Sequence, residues 1–192
     1  MKLKVILVCT LLLFGVAANA VGGSRDKAEN HPGYVDFEAL DCIGDREAKI
    51  EVYLRANMLK LIGDFVRTED PELYDMINKL LLVRVLVFDV EYDRVDDCVA
   101  DSKKTVKDLD RRGWERIVRV TEDDEVVYVY LKPSKEYESI NGILVIAFED
   151  DEAVFVNIVG EIHPDDVSRL GEHFDIDELN GIDYRKSRKY RD

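Results

Sequence analysis

Cysteine, proline and histidine are scarce in this chain of 192 residues, which has three cysteines, four prolines and three histidines. Each scarcity excludes something. No CxxC pair is present, so dithiol redox catalysis lacks its motif. His31, His163 and His173 fall in no metal-ligand spacing, one near the N-terminus and two bracketing a short helical stretch. No serine sits in G-x-S-x-G or has a histidine placed by sequence to activate it. No strand runs into a glycine-rich phosphate loop. Basic charge is in deficit too, 27 Lys+Arg against 41 Asp+Glu, a net −14. An envelope this negative repels nucleic acid phosphates and anionic lipid heads, so nucleic acid is not an expected partner. No catalytic residue, cofactor or metal ligand is expected from these patterns.

What is present begins with a leader. Lys2 and Lys4 precede an apolar run over 5–18, and Ala18-Asn19-Ala20 is a small-x-small site. That is the layout of a secretory signal peptide over residues 1–20, cleaved after Ala20. The run is shorter than the ~20 apolar residues a membrane span needs, and no second run of spanning length follows. The expectation is an exported protein, periplasmic or outer-membrane associated, without a transmembrane anchor after cleavage. Loss of Lys2 and Lys4 takes the net charge to −16. Residues 21–33, glycine-rich and polar without a period, read as a flexible leader. At the other end, Arg185, Lys186, Arg188, Lys189 and Arg191 make 183–192 a basic tail. It reads as a solvated segment, with docking to an acidic partner or membrane surface as the alternative.

Between these ends, 34–182 reads as a single α+β domain. Alternation puts Ile50, Val52 and Leu54 on one side of a first strand. Met58, Leu61, Ile62, Phe65 and Val66 then share one helical face. Asp70 is an N-cap with Pro71 at the first helical position, opening a second helix that buries Leu73, Met76, Ile77 and Leu80. The β-branched run 83–90 is a second strand. Val95, Val99, Val106 and Leu109 mark a surface helix that Gly113 terminates. Segments 114–120 and 126–131 form a hairpin that Pro133 stops. A second hairpin, 143–148 with 153–159, is apolar on both faces, which suits the middle of a sheet. Pro164 starts a last helix with Val167, Leu170 and Phe174 inward. The order β-α-α-β-α-β-β-β-β-α implies a mixed β-sheet with helices packed on it. Its two strand–helix–strand crossovers favour parallel pairing.

Cys42 and Cys98 survive cleavage and are a candidate disulfide, since an even count in an exported protein invites one. Closing that loop would be worth on the order of 4 kcal/mol in the chain-entropy model. Parallel first and second strands would instead put the two cysteines at opposite edges of the sheet. Cys98 also projects near an apolar stripe, where a free thiol behaves as a small hydrophobe. Two acidic segments approach the EF-hand pattern and both fail. In Asp89-Val90-Glu91-Tyr92-Asp93 the turn glycine is replaced by Arg94 and the closing glutamate by Ala100. In Asp175-Ile176-Asp177-Glu178-Leu179-Asn180-Gly181 a ligand position is Leu179. Both read better as solvated turns. Trp114, at a strand start, reads as a core or edge aromatic.

Gly33-Tyr34-Val35-Asp36-Phe37, KIEVYL at 49–54, Glu69-Asp70-Pro71-Glu72-Leu73, GWERIVRV at 113–120, VYLKP at 129–133 and VFVNIVGEI at 154–162 together resemble a family. It is the bacterial exported domain of unknown function 4252. The resemblance covers roughly 32–179, and its last motif is the most specific. It implies a signal peptide followed by one small α+β domain, and it brings no activity, catalytic residue or cofactor. The two cysteines and the basic tail are not part of it. The function expected is a non-enzymatic module that contacts another envelope protein. A ligand- or cation-binding module using the acidic turns is one alternative, and a cofactor-free hydrolase with an unrecognised site is another.

Overall fold

β-branching and alternation carry six strands: β1 (Ile50–Arg55), β2 (Leu80–Asp89), β3 (Glu115–Thr121), β4 (Glu125–Pro133), β5 (Ile140–Glu149) and β6 (Glu152–Ile162). Two helices, α1 (Ala56–Val66) and α2 (Pro71–Asn78), separate the first two strands. The computed structural model describes residues 27–37, 47–90, 107–121, 125–136, 138–149, 152–163 and 166. Ala20, Cys42, Cys98 and the 183–192 tail lie outside the described residues. The strands form one sheet in the order β1-β2-β6-β5-β4-β3, so the domain is α+β and the hairpin β5–β6 is its middle. One compact unit runs from Arg25 to Ile162. His163 and Asp166 belong to another unit, where the Asp166 carboxylate accepts from the His163 backbone N–H at 3.0 Å. Among the described residues no helix is long and apolar enough to cross a membrane.

The expected parallel pairing is not what forms. Every neighbouring pair is antiparallel, including β1 with β2, where Ile50 faces Val87 and Arg55 faces Leu82. The reason lies between them. Two helices packed as a hairpin return the chain to the end it left, whereas a single crossover helix carries it to the other end. Gly63 of α1 faces α2 at this contact, with Ile77 and Tyr74 as its neighbours. The second crossover, from β2 to β3, joins strands that β6, β5 and β4 hold apart. With β1 and β2 antiparallel, the chain enters β1 and leaves β2 at the same end of the sheet. The parallel pairing that would separate Cys42 and Cys98 is therefore not formed, and both cysteines lie outside the described residues.

Local signals for the helices hold with one rotation. The Asp70 carboxylate accepts from the Leu73 N–H at 2.9 Å with Pro71 beginning α2, and Gly113 closes the helical stretch 107–111 at φ 76°. The Lys132 ammonium donates to the Arg112 and Gly113 carbonyls just beyond that stretch. In α1, however, Leu59 and Gly63 are the buried residues, while Leu61 and Phe65 face solvent. The buried side of α1 is thus the Leu59–Gly63 side, which packs toward α2, and not the wider face its apolar periodicity marks. Leu80, expected at the end of α2, instead opens β2.

The two faces of the sheet are built differently. One carries Leu86, Phe88, Tyr128, Tyr130, Leu144, Ile146, Phe148, Ala153 and Phe155, covered by Val35, Phe37, Leu109 and Trp114. Phe155 is its centre, with Phe37, Phe88 and Phe148 ring centroids at 5.4, 6.1 and 6.1 Å. Such tilted and edge-on pairs add stabilisation beyond the buried area. The other face carries the alternate residues, among them Val83, Val85 and Val87 of β2 and Val154, Val156 and Ile158 of β6.

Order begins earlier than the leader composition implies. Residues 27–33 form turns with Ala28 only 2% exposed, and Gly33 lies so close to β5 that a Cβ there would sit 1.9 Å from the Asn141 carbonyl oxygen. Asn157 of β6, fully buried, fixes this segment: its amide Nδ2 donates to the Gly33 and Ile143 carbonyls at 3.0 and 3.1 Å, and its Oδ1 accepts from the Val35 N–H at 3.0 Å. Asn157→Ala would strand three buried backbone groups and should cost about 3 kcal/mol. Urea denaturation reads this as a lower midpoint; an unchanged midpoint would mean the segment is held by other contacts.

Candidate functional site

An arginine in the middle of an apolar strand is the feature that stability alone explains least. Arg84 of β2 lies in register between Tyr53 of β1 and Asn157 of β6, and only 9% of its surface is exposed. Its guanidinium carbon is 5.7 Å from the ring centroids of both Phe37 and Tyr53. Arg55 lies over the same Tyr53 ring at 5.1 Å. Contacts of this kind are worth roughly 0.5–2 kcal/mol. They do not satisfy the N–H groups. The Arg84 Nε has no hydrogen-bond partner, and no carboxylate among the described residues lies within ion-pair range of its guanidinium.

The walls around it are half-buried tyrosines. Tyr34 and Tyr53 pack against Ala28, Leu82 and Val159. Burial pushes the Tyr34 hydroxyl above its ordinary titration range; Arg84 opposes that rise, and Asp36, Tyr53 and Glu29 add to it. Tyr34 and Phe37 are delivered by the segment that Asn157 pins, so a structural amide positions the lid over the arginine.

A second polar cluster sits where β2 ends and β5 turns into β6. Register sets Asp89 opposite Glu152 and Glu149 opposite Glu152. The Lys49 ammonium bridges Asp89 and Glu152 at 2.8 and 2.7 Å, and those hydrogen bonds raise its pKa. The positive charge between these two carboxylates is thus a lysine. Among the described residues no three His, Cys, Asp or Glu side chains converge as a metal site. Glu91, Asp93 and the acidic stretch 175–181 lie outside the described residues.

The remaining sequence candidates separate. Trp114 is core, 2% exposed. His163 is exposed, and its backbone rather than its ring makes the hydrogen bond to Asp166. His31 supports the pinned segment, its Nδ1 accepting from the Gly33 N–H at 3.3 Å. Arg84 lies in no motif, and Asn157 lies inside VFVNIVGEI, which assigns it no role. The signal that could have found them is a lone polar residue inside an apolar run, VRV in one strand and VNI in the other.

The class is that of a small α+β domain whose antiparallel sheet is closed at one end by a helical hairpin. Residues 45–170 match the family model described as Domain of unknown function (DUF4252), and the chain belongs to that family. No curated protein matches the chain, and no solved structure does.

Burial holds the His31 pKa below its ordinary value of 6.5. As pH falls below that value the unfolded chain takes up the proton first. Stability is therefore intact above it and declines as pH drops toward the lower folded value. Protonation also removes the acceptor for Gly33. Thermal midpoints between about pH 7.5 and 5 should fall more for wild type than for His31→Asn; identical profiles would exclude this contribution.

Proposed function

We propose that this chain is an exported, non-enzymatic module that works by contact with another envelope protein. The observation that supports the reading best is on α1, where Leu61 is 52% exposed and Phe65 77% exposed. They stand one turn apart on one side of a helix whose other side packs on α2 through Gly63. Large apolar side chains held out on a rigid element are costly to leave in water, and a partner's apolar groove removes that cost. The export signal over 1–20 supports a periplasmic or outer-membrane site of action. The strongly acidic composition weighs against nucleic acid and anionic lipid as the partner.

Leu61→Ser with Phe65→Ser should cost no more than about 1 kcal/mol of folding stability, since both side chains are largely in solvent. Crosslinked capture from envelope extract should lose the proteins that the wild type retains. Retention of the same proteins by the double variant would sink this reading. A loss of several kcal/mol would show instead that the two side chains are structural.

A further inference from the structure

We propose that Arg84 anchors a binding site for a small organic carboxylate with an apolar body. The proposal stands apart from the α1 surface. A guanidinium placed in an apolar sheet is costly to desolvate, and proteins normally offset that cost with a carboxylate. Here the described residues supply two aromatic rings and no acid. Aromatic faces interact with the guanidinium as a cation but accept none of its in-plane N–H groups, and the Nε–H is buried without a partner.

The shape of the unmet demand identifies the ligand. One planar fork pairs with one carboxylate through two parallel N–H···O bonds, a match that a lysine cannot reproduce. Arg55, whose guanidinium carbon lies 5.1 Å from the Tyr53 ring centroid, shares this side of the sheet. The half-buried ring of Tyr53 lies beside the guanidinium, Tyr34 is near enough for its hydroxyl to feel the Arg84 charge, and both tyrosines pack against Ala28, Leu82 and Val159. Those surfaces suit an aromatic or aliphatic body. The net charge of the chain, −14, and the acidic groups Asp36 and Glu29 near Tyr34 oppose a multiply charged anion such as phosphate. Arg84 recruits the single negative charge, and the tyrosines select what carries it.

The test is an NMR titration of the full chain, following the Arg84 Nε–H signal identified by its loss in Arg84→Lys. The probes are sodium phenylacetate, sodium acetate, inorganic phosphate, and 2-phenylethanol, each at matched ionic strength. Phenylacetate should shift the signal saturably. Acetate, which lacks the ring, should bind roughly tenfold more weakly. Phosphate and the uncharged alcohol should leave the signal in place. In Arg84→Met, folded by circular dichroism, the tyrosine ring signals should no longer respond to phenylacetate. If that variant does not fold, the wild-type titration decides alone. No saturable response to phenylacetate, or an equal response to phosphate or to sodium chloride, would overturn the proposal.

Discussion

The amide of Asn157 is the contact on which the rest of this structure depends. It lies in the central strand β6, removed from water, and its three hydrogen bonds end on the backbone of Gly33, Val35 and Ile143. A buried side-chain amide is tolerated when its donors and acceptor are met, and here meeting them ties an N-terminal segment across two strands. Gly33 and Gly142 make the approach possible, because a Cβ on either would collide with the other's backbone. The segment so fixed brings Val35 and Phe37 onto the aromatic core around Phe155 and carries Tyr34 to the edge of the Arg84 cluster.

Asn157 and Arg84 are register partners with opposite polar fates. The asparagine is satisfied and acts as a strut. The arginine is held by rings that stabilise its charge without occupying its hydrogen-bonding groups. Two polar residues side by side in an otherwise apolar layer thus differ: one closes the core, and the other keeps an Nε–H without a partner among the described residues. The acidic end of the sheet differs again: its charge is exposed and partly neutralised by Lys49, an arrangement that solvent screens and that contributes little to stability.

Much of the fold was legible locally. The Asp70 cap, the Gly113 terminator and the acidic hairpin turn between β5 and β6 each follow from the conformational preference of a few adjacent residues. The central position of β5 and β6 was legible because residues apolar on both sides must be covered on both sides. Less legible was the buried side of α1, where Leu59 and Gly63 face inward while Leu61 and Phe65 of the wider apolar stripe face solvent. The ordering of residues 27–33 was hidden as well, because Gly33, His31 and Ala28 read as loop composition until their partners are known.

Sequence by itself determined the class, most strand and helix positions among the described residues, and membership in a family, since periodicity, capping and motif are properties of neighbouring residues. Tertiary structure decided which strands pair, in which direction, and what surrounds Arg84. Direction was set by the packing of two helices against each other, a non-local event that returns the chain to the end it left. The surroundings of Arg84 were set by residues from β1, β6 and the N-terminal segment. Whether a buried charge is matched depends on groups brought from far along the chain, and no local pattern encodes that.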